Sequence, residues 1–296
     1  MRIRLAALLL VTALSATARA DAPHFVAEIP FTSCGGLICL PVTLEGGQQK
    51  IFALDTGDVD SYLAQDTAQS LGWPLEAYVG RDGKPVEGLW KSGPHALKLG
   101  PIVLDSKLLV FPRKELGPSV PFDGGIVFTA FKDRVLQIDY PHHLLRISDV
   151  LSDSDASTLP GTLKTITFGK HGPAILTGGP FTVNGKTVQA QIDTCYTGTL
   201  LIYDAAVPKL GMKAIADKGA ARMFPNTDGG VTMLAMPATS LGFSGRSFAL
   251  ENPVIYFATP GVHQPDGLFE ATVGNELFAH SVLTLDLHHM TFDVSM

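Results

Sequence analysis

Two stretches of the chain follow one pattern, Ile51-Phe52-Ala53-Leu54-Asp55-Thr56-Gly57 and Gln189-Ala190-Gln191-Ile192-Asp193-Thr194-Cys195. The two Asp-Thr pairs lie 138 residues apart, and each follows a strand-like run that ends in a Gly-containing turn. The first run is Leu40–Leu44 before Glu45-Gly46-Gly47, and the second is Pro180–Val183 before Asn184-Gly185. Asn-Gly is a strong signal for a tight turn between two strands. A pattern repeated at this distance indicates a duplicated structural unit.

The repeat continues downstream of each Asp. Residues Phe131–Tyr140 parallel Phe278–Leu287 at an offset of 147, so the second copy has about nine extra residues, which we place within Asp217–Gly230. Each copy then ends in an alternating strand, at Leu144–Ile147 and at Met290–Val294. Short helices are predicted after each Asp motif, over Gln65–Leu71 and Asp204–Leu210, each capped by the Gly that follows. We therefore predict an all-β fold of two homologous β-barrel lobes with a cleft between them.

The first 20 residues have the features of a secretory signal peptide. Arg2 and Arg4 precede the apolar run Leu5–Leu14, and Ala18-Arg19-Ala20 offers a small-x-small cleavage site. We expect a signal peptide at 1–20, a lobe at 21–150, a polar linker at 151–163 and a second lobe at 164–296. The protein is then exported, to the periplasm or the medium of a bacterium. No stretch has the 18 or so apolar residues of a membrane span.

Charge and composition exclude other classes of protein. The 296 residues carry 22 Lys+Arg against 28 Asp+Glu, a net charge of −6, and cleavage after Ala20 removes three Arg to leave −9. An acidic chain does not suit a protein that binds the nucleic-acid backbone. With 46% hydrophobic and 17% charged residues, the chain has the composition of a folded protein rather than a disordered one.

The repeated Asp indicates a particular chemistry. A carboxyl directly after an apolar strand is partly desolvated, which disfavours its charged form. Two lobes related by a pseudo-twofold axis bring Asp55 and Asp193 together, and such a pair holds one proton between them. The charged member draws a proton from water while the protonated member hydrogen-bonds to a substrate carbonyl. The hydroxyls of Thr56 and Thr194 can brace the loops, and Gly57 allows them to approach closely.

In these motifs the sequence resembles the aspartic proteases, most closely an exported bacterial branch with retropepsin-like or pepsin-like lobes in one chain. The resemblance rests on residues 53–57 and 192–195, on Thr197-Gly198-Thr199-Leu200, and on the later motifs Val273–Phe278 and Gly124–Val127. It covers nearly the whole chain from about Phe25. It implies a monomeric endopeptidase that acts on a peptide or protein substrate without a cofactor or metal.

Three positions depart from the family pattern. Cys195 replaces the second motif Gly, Val127 stands where the second copy has Gly274, and Asp58 adds a carboxyl beside the first motif. They leave open an alternative, a catalytically inactive peptide- or protein-binding protein on the same fold. A third interpretation makes Cys195 a nucleophile, although no His partner is evident from the sequence.

Each lobe is expected to carry a substrate flap between its two motifs. The candidates are 78–90, with Tyr78 and Trp90 as covering aromatics, and 223–233; for the aromatics the alternative is packing within the lobe. Cys34 and Cys39 flank a four-residue loop and are expected to form a disulfide, because export favours oxidation. His142-His143 and His288-His289 occupy equivalent turns, where we expect no metal, and Asp139 and Asp286 are expected to be structural.

Overall fold

The computed structural model describes residues 25–80, 82–116, 121–167, 174–224, 231–259 and 268–296. The predicted signal peptide at 1–20 lies outside these residues. The first copy of the repeat contains strands β1 (Phe25–Pro30), β2 (Thr32–Cys34), β3 (Leu37–Thr43), β4 (Gln49–Asp55), β5 (Tyr62–Ala64), β6 (Glu76–Val79), β7 (Pro85–Leu99), β8 (Ile102–Phe111), β9 (Gly124–Val127), β10 (Val135–Asp139) and β11 (Leu144–Ser148). The second copy contains β12 (Gly161–Thr167), β13 (Ala174–Val183), β14 (Lys186–Ile192), β15 (Leu200–Ile202), β16 (Ala220–Phe224), β17 (Val231–Pro237), β18 (Leu241–Phe243), β19 (Arg246–Ser247), β20 (Val254–Ala258), β21 (Ala271–Val273), β22 (Val282–Asp286) and β23 (Thr291–Ser295).

Helices are short and connect the strands. The α-helices are α1 (Gln65–Ser70), α2 (Asp153–Ala156), α3 (Ala206–Lys209), α4 (Lys213–Ala216) and α5 (Asn275–Phe278), and 3₁₀ turns lie at Glu45–Gly47, Arg113–Leu116 and Phe128–Phe131. Helices α1 and α3 end, as predicted, just before Gly72 and Gly211, which have φ of 68° and 66°. Glycine adopts this left-handed conformation at little cost. Over the residues described, no helix combines the length and apolar character needed to cross a membrane.

The two copies have the same strand order. In the first copy the order is β3-β4-β9-β5-β8-β7-β6, and in the second it is β13-β14-β21-β15-β20-β17-β16. Strand β4 runs parallel to β9, and β14 runs parallel to β21. The fold is therefore all-β with two homologous lobes, as the repeat predicted.

A shared sheet joins the lobes, with strand order β1-β11-β10-β22-β23-β12. At its centre β10 and β22 are antiparallel and Gln137 lies opposite Thr284, residues that correspond at the predicted offset of 147. The pairing of two equivalent strands about this point is what a pseudo-twofold axis produces. The predicted linker 151–163 contains helix α2 and the first residues of β12, so part of it belongs to this shared sheet.

Apolar alternation forms the core of each lobe. Along β8, Ile102, Leu104, Ser106, Leu108 and Val110 are buried while the residues that alternate with them are exposed or partly exposed. This period of two is that of a strand with one face on the core. The core includes the apolar residues before each Asp, Phe52, Leu54, Ala190 and Ile192. It therefore anchors the two Asp-bearing loops on rigid strands.

Candidate active site

Asp55 and Asp193 occupy equivalent strand ends. Asp55 is the last residue of β4 and lies opposite Val127 of β9, while Asp193 follows β14 and its N–H donates to the Val273 carbonyl of β21 at 3.0 Å. Parallel neighbours hold each loop at the same level of its sheet. The pattern that predicted the pair thus corresponds to one structural position in each lobe.

A reciprocal set of hydrogen bonds, which we call the threonine cross-brace, joins the two loops. The N–H of Thr56 donates to Thr194 Oγ1 at 3.0 Å, and the N–H of Thr194 donates to Thr56 Oγ1 at 3.1 Å. Each hydroxyl also donates to a carbonyl of the opposite lobe, Thr56 to Ile192 at 2.7 Å and Thr194 to Leu54 at 2.6 Å. Both threonines are buried. Because each brace crosses between lobes, it fixes the distance between the Asp-bearing loops.

The third residue of each motif faces a different neighbour. A methyl group on Gly57 would overlap the carboxyl group of Asp193, so Gly57 lies directly against the second Asp. Cys195 is partly buried, and its Sγ lies 3.8 Å from the Leu54 carbonyl oxygen and 4.0 Å from Tyr62 Oη. The second loop therefore accommodates a side chain where the first does not.

Hydrogen bonds converge on Asp55, which is only 5% exposed. Oδ1 accepts from the N–H groups of Gly57 at 2.9 Å and Asp58 at 3.0 Å, and Oδ2 accepts from Tyr62 Oη at 3.1 Å. Burial raises the pKa of Asp55, and hydrogen bonds from the Cys195 thiol, these two N–H groups and Tyr62 oppose that rise. Desolvation and donors act against each other, as they do at carboxyls tuned for proton transfer.

Asp193 is half-buried and accepts N–H bonds at Oδ1 from Cys195 at 2.8 Å and Tyr196 at 3.1 Å. Burial raises its pKa, and the negative charge of Asp55 raises it further. The two carboxyls are therefore electrostatically coupled, and the charge of Asp55 disfavours ionisation of Asp193.

Asp58 is a third carboxyl beside the pair. Its pKa is raised to about 6, first by burial and then by the charge of Asp55, and its Oδ1 accepts the N–H of Val59 at 2.7 Å. The charge of Asp58 in turn raises the pKa of Asp193. The carboxyl that Asp58 adds beside the first motif is thus in electrostatic contact with both members of the pair.

Several supporting residues escape sequence reasoning. Tyr62 reaches Asp55 from β5, and Gln191 donates from Nε2 to the Gly57 carbonyl at 2.7 Å. Asn275, at the start of α5, donates to the Thr194 carbonyl at 2.6 Å and to the Gly36 carbonyl at 2.9 Å. Asn275 lies within the later motif of the second copy, which was the signal available. Tyr62 acts between two strands of the first lobe and Gln191 acts across the lobes, and the spacing of residues within one copy indicates neither contact.

Val127 and Gly274 occupy equivalent positions in the two lobes, as the alignment of the two copies predicts. Val127 lies opposite Asp55, and Gly274 follows Val273, which pairs with Ile192. A methyl group on Gly274 would overlap the Tyr196 carbonyl, whereas Val127 is buried without such a conflict. The first lobe therefore has room for a side chain at this point.

The first flap candidate is an antiparallel hairpin of β6 and β7. Tyr78 is partly buried, and Trp90 lies opposite Ala77 and packs against the hydrophobic core. This contact corresponds to packing within the lobe, which the sequence left open as the alternative to a covering role for Trp90. The second candidate, 223–233, joins β16 and β17, but 225–230 lie outside the described residues. Met223 on β16 is 74% exposed.

A cavity of about 330 Å³ opens where the lobes meet. Its walls come from the loop between β2 and β3, from Thr197 just after the second motif, and from α5; they include Ser33, Gly36, Leu37, Tyr140, Thr197 and Glu276. The cavity is thus continuous with segments that hold Asp193.

The remaining predicted residues have structural contacts. Cys34 and Cys39 form a disulfide with a Cα–Cα distance of 6.0 Å. His142 Nδ1 lies 2.8 Å from Asp139, and His289 Nδ1 lies 2.8 Å from Asp286. In the part of the chain that is described, no group of three or more His, Cys, Asp or Glu side chains is placed to hold a metal ion.

Comparison with solved structures agrees with this architecture. The chain is similar to the aspartic proteinase from Irpex lacteus, with a TM-score of 0.53 and 14% identity, over 91% of this chain and 97% of that one. No family model matches the chain, and no curated protein matches it. At this identity the likeness shows a shared fold, that of an aspartic proteinase with two β lobes.

Proposed function

We propose that this protein is an aspartic endopeptidase in which Asp55 and Asp193 activate a water molecule against a peptide bond. The observation that carries the proposal is the threonine cross-brace, which links the two Asp loops reciprocally with bonds of 2.6 to 3.1 Å. A brace of this kind preorganises two carboxyls from separate lobes, and preorganised groups act on the transition state without further rearrangement.

The chemistry follows from the shared proton. The ionised carboxylate takes a proton from water as that water attacks the substrate carbonyl, and the protonated carboxyl donates a hydrogen bond to the carbonyl oxygen where negative charge develops. The amide nitrogen is protonated as the C–N bond breaks. The reaction needs no covalent intermediate, metal or cofactor. Because burial raises the pKa of both carboxyls, the singly protonated pair persists to less acidic pH than for exposed carboxyls.

A peptide or protein is the substrate that suits a pair of carboxyls supplied by two lobes. The cavity beside Thr197 is lined by residues of both copies of the repeat and includes Asn275, which donates to the Thr194 carbonyl, so it is a candidate place for part of an extended peptide. Because one chain supplies both Asp55 and Asp193, a monomer is sufficient for activity.

Export to the periplasm or medium is part of the proposal. Arg2, Arg4, the apolar run Leu5–Leu14 and the cleavage site at Ala20 support it, and the Cys34–Cys39 disulfide suits an oxidising compartment. Mass spectrometry of the protein recovered from the periplasm should give Asp21 as the first residue. An intact Met1 or Arg2 terminus would contradict the proposal.

The test is hydrolysis of a denatured protein and of a peptide library across pH 3 to 8. Asp55→Asn and Asp193→Asn should each reduce kcat/KM by at least about 1,000-fold, since each removes one half of the proton-sharing pair. Asp105→Asn, which changes an exposed carboxylate on β8, is the matched control and should keep full activity.

The other interpretations give different results. Peptide binding without cleavage by the wild-type protein would identify the non-catalytic alternative that Cys195 suggested. Loss of activity on thiol alkylation, with both Asn variants active, would favour the Cys195 nucleophile. Burial and the charges of Asp55 and Asp193 raise the pKa of this thiol well above its ordinary value, the opposite of an activated cysteine.

A further inference from the structure

The two carboxyls differ in the donors that reach them. Asp55 accepts hydrogen bonds at both oxygens, and the bond at Oδ2 comes from a side chain, Tyr62, at 3.1 Å. The bonds that Asp193 accepts among the described residues come from two backbone N–H groups and both reach Oδ1. Hydrogen bonds donated to a carboxylate favour its charged form.

Tyr62 is held firmly in its place. It is 7% exposed, belongs to β5, and pairs with Gly125 of β9. A methyl group on Gly125 would overlap the Tyr62 ring, so the absence of a side chain there is what lets the phenol lie across the strand toward Asp55. The edge of Phe111 packs against the same ring at 6.3 Å between centroids. A buried phenol with one orientation is a preorganised donor.

Among the described residues of the second lobe, no side-chain hydrogen bond to Asp193 corresponds to this contact. The residue at the position of Tyr62 is Leu201 of β15, which pairs with Thr272 of β21 as Tyr62 pairs with Gly125 of β9, and it is buried and has no hydroxyl group. Cys195, in contrast, leans toward the first lobe and adds a thiol near Tyr62 Oη at 4.0 Å. Side-chain donors from both lobes therefore gather on the Asp55 side of the pair.

We infer that Tyr62 is a positioning residue that makes Asp55 the carboxylate, the general base, and leaves the shared proton on Asp193. This inference rests on the proposed endopeptidase function and deepens it by giving each carboxyl one role. Its physical cause is the donor that reaches Oδ2 of Asp55 and has no counterpart in the described part of the second lobe.

The first test is the pH profile of kcat/KM for Tyr62→Phe, which keeps the ring against Gly125 and loses only the hydroxyl. The acid limb, which reports ionisation of the base, should move to higher pH by about one unit, and kcat should fall roughly tenfold with KM little changed. Tyr203→Phe is the matched control, because its buried hydroxyl contacts Thr272 Oγ1 at 2.9 Å rather than a carboxyl. It should leave the profile in place.

The second test does not depend on activity. In an Asp193→Asn background, the infrared carboxyl band that is lost on further Asp55→Asn substitution reports Asp55 alone. Its titration midpoint should rise by about one pH unit on adding Tyr62→Phe and should stay in place on adding Tyr203→Phe. An unchanged midpoint in Tyr62→Phe, with a thermal melt like that of the parent, would overturn the inference. If the wild-type protein shows no Asp-dependent hydrolysis, the proposed function fails, whereas this titration still decides the role of Tyr62.

Discussion

The loops 55–58 and 193–196 are the same structure with different side chains at their third and fourth positions. Both end a β-strand, both place a Thr in the cross-brace, and both turn backbone N–H groups onto their own Asp. The third position is Gly57 in the first loop and Cys195 in the second, and the fourth position is Asp58 in the first and Tyr196 in the second. The two threonines that bond reciprocally across the pseudo-twofold axis are the same in both loops, while the third and fourth positions differ.

The difference shows where the pair tolerates change. Gly57 lies against the Asp193 carboxyl, so the first loop has no space at its third position. The Cys195 side chain turns instead toward Leu54 and Tyr62 of the opposite lobe. A departure from the motif at the second loop thus fills space beside the pair and does not push the loops apart.

The largest effect should come from placing the same methyl group in each loop. Gly57→Ala should reduce kcat/KM by at least about 100-fold, because the new methyl displaces the Asp193 carboxyl from its working position. Cys195→Ala, the matched variant, should keep activity within about tenfold, since it removes a thiol from a site that already holds a side chain. Steady-state kinetics on one peptide measures both. Equal losses in the two variants would contradict the asymmetry of the loops.

The next effect concerns the feature that the loops share. Thr56→Val leaves the Thr194 N–H and the Ile192 carbonyl without their partner, and Thr194→Val does the same to the Thr56 N–H and the Leu54 carbonyl. Each should lower the free energy of unfolding by about 2–4 kcal/mol, because buried polar groups lose their bonds. The two losses should agree within about 1 kcal/mol, as expected for a symmetric brace.

Urea denaturation measures these losses, and Thr→Ser at each position is the control. Serine keeps the hydroxyl and should retain most of the stability. If only one of the two Thr→Val variants lost stability, the two threonines would not contribute equally and the symmetric description of the loops would be wrong.

The fold was predictable because a duplicated structural unit gives the same sequence pattern in both halves of the chain. The paired motifs at offsets of 138 and 147 correspond to equivalent strands in the two lobes, and even the helix-capping glycines 72 and 211 lie where the repeat places them. The pairing of β10 with β22 in a shared sheet was not predicted. Strand pairing between distant segments depends on register and packing, which a local pattern does not contain.

The candidate site was predictable only in part. Asp55, Asp193 and the two threonines follow from the repeat, because the same Asp-Thr pair occurs at the same place in both copies. Tyr62 and Gln191 act across strands or lobes, so no spacing within one copy points to them. For Trp90 the sequence left both a covering role and packing within the lobe open, and the structure shows that this partly buried side chain packs against the core.

The fourth position of the loops is a carboxyl only in the first loop, at Asp58, so its contribution to stability should depend on pH. Because burial and Asp55 raise the pKa of Asp58 to about 6, its charge is unfavourable in the folded protein above that pH and absent at pH 4. Asp58→Asn should therefore raise the free energy of unfolding at pH 8 by about 1–2 kcal/mol, an amount reduced by partial exposure, and change little at pH 4. The alkaline limb of the activity profile should also move to lower pH, because one charge that raises the pKa of Asp193 is gone.

Urea denaturation at pH 4 and pH 8 measures the stability change, and asparagine can still accept the Val59 N–H that Asp58 holds at 2.7 Å. Stabilisation of the same size at both pH values would show that the charge of Asp58 is not its cause.

The smallest effect is expected at two equivalent turns, which contain His142 in the first copy and His289 in the second. His289 contacts Asp286 through Nδ1 at 2.8 Å and Asp153 of α2 through Nε2 at 3.1 Å, and its Asp286 hydrogen bond, followed by that to Asp153, raises its pKa. The stability that the protonated ring supplies is full below its ordinary pKa and is lost as pH rises through the raised value. His289→Gln should lower Tm by about one degree at pH 5.5 and leave it unchanged at pH 9. His142→Gln should have less effect, because Arg146 still pairs with Asp139 at 2.9 Å. The first copy has no contact equivalent to the one between His289 and Asp153 among its described residues. A fall in Tm that was equal for both variants, or equal at both pH values, would mean that this contact does not stabilise the second turn.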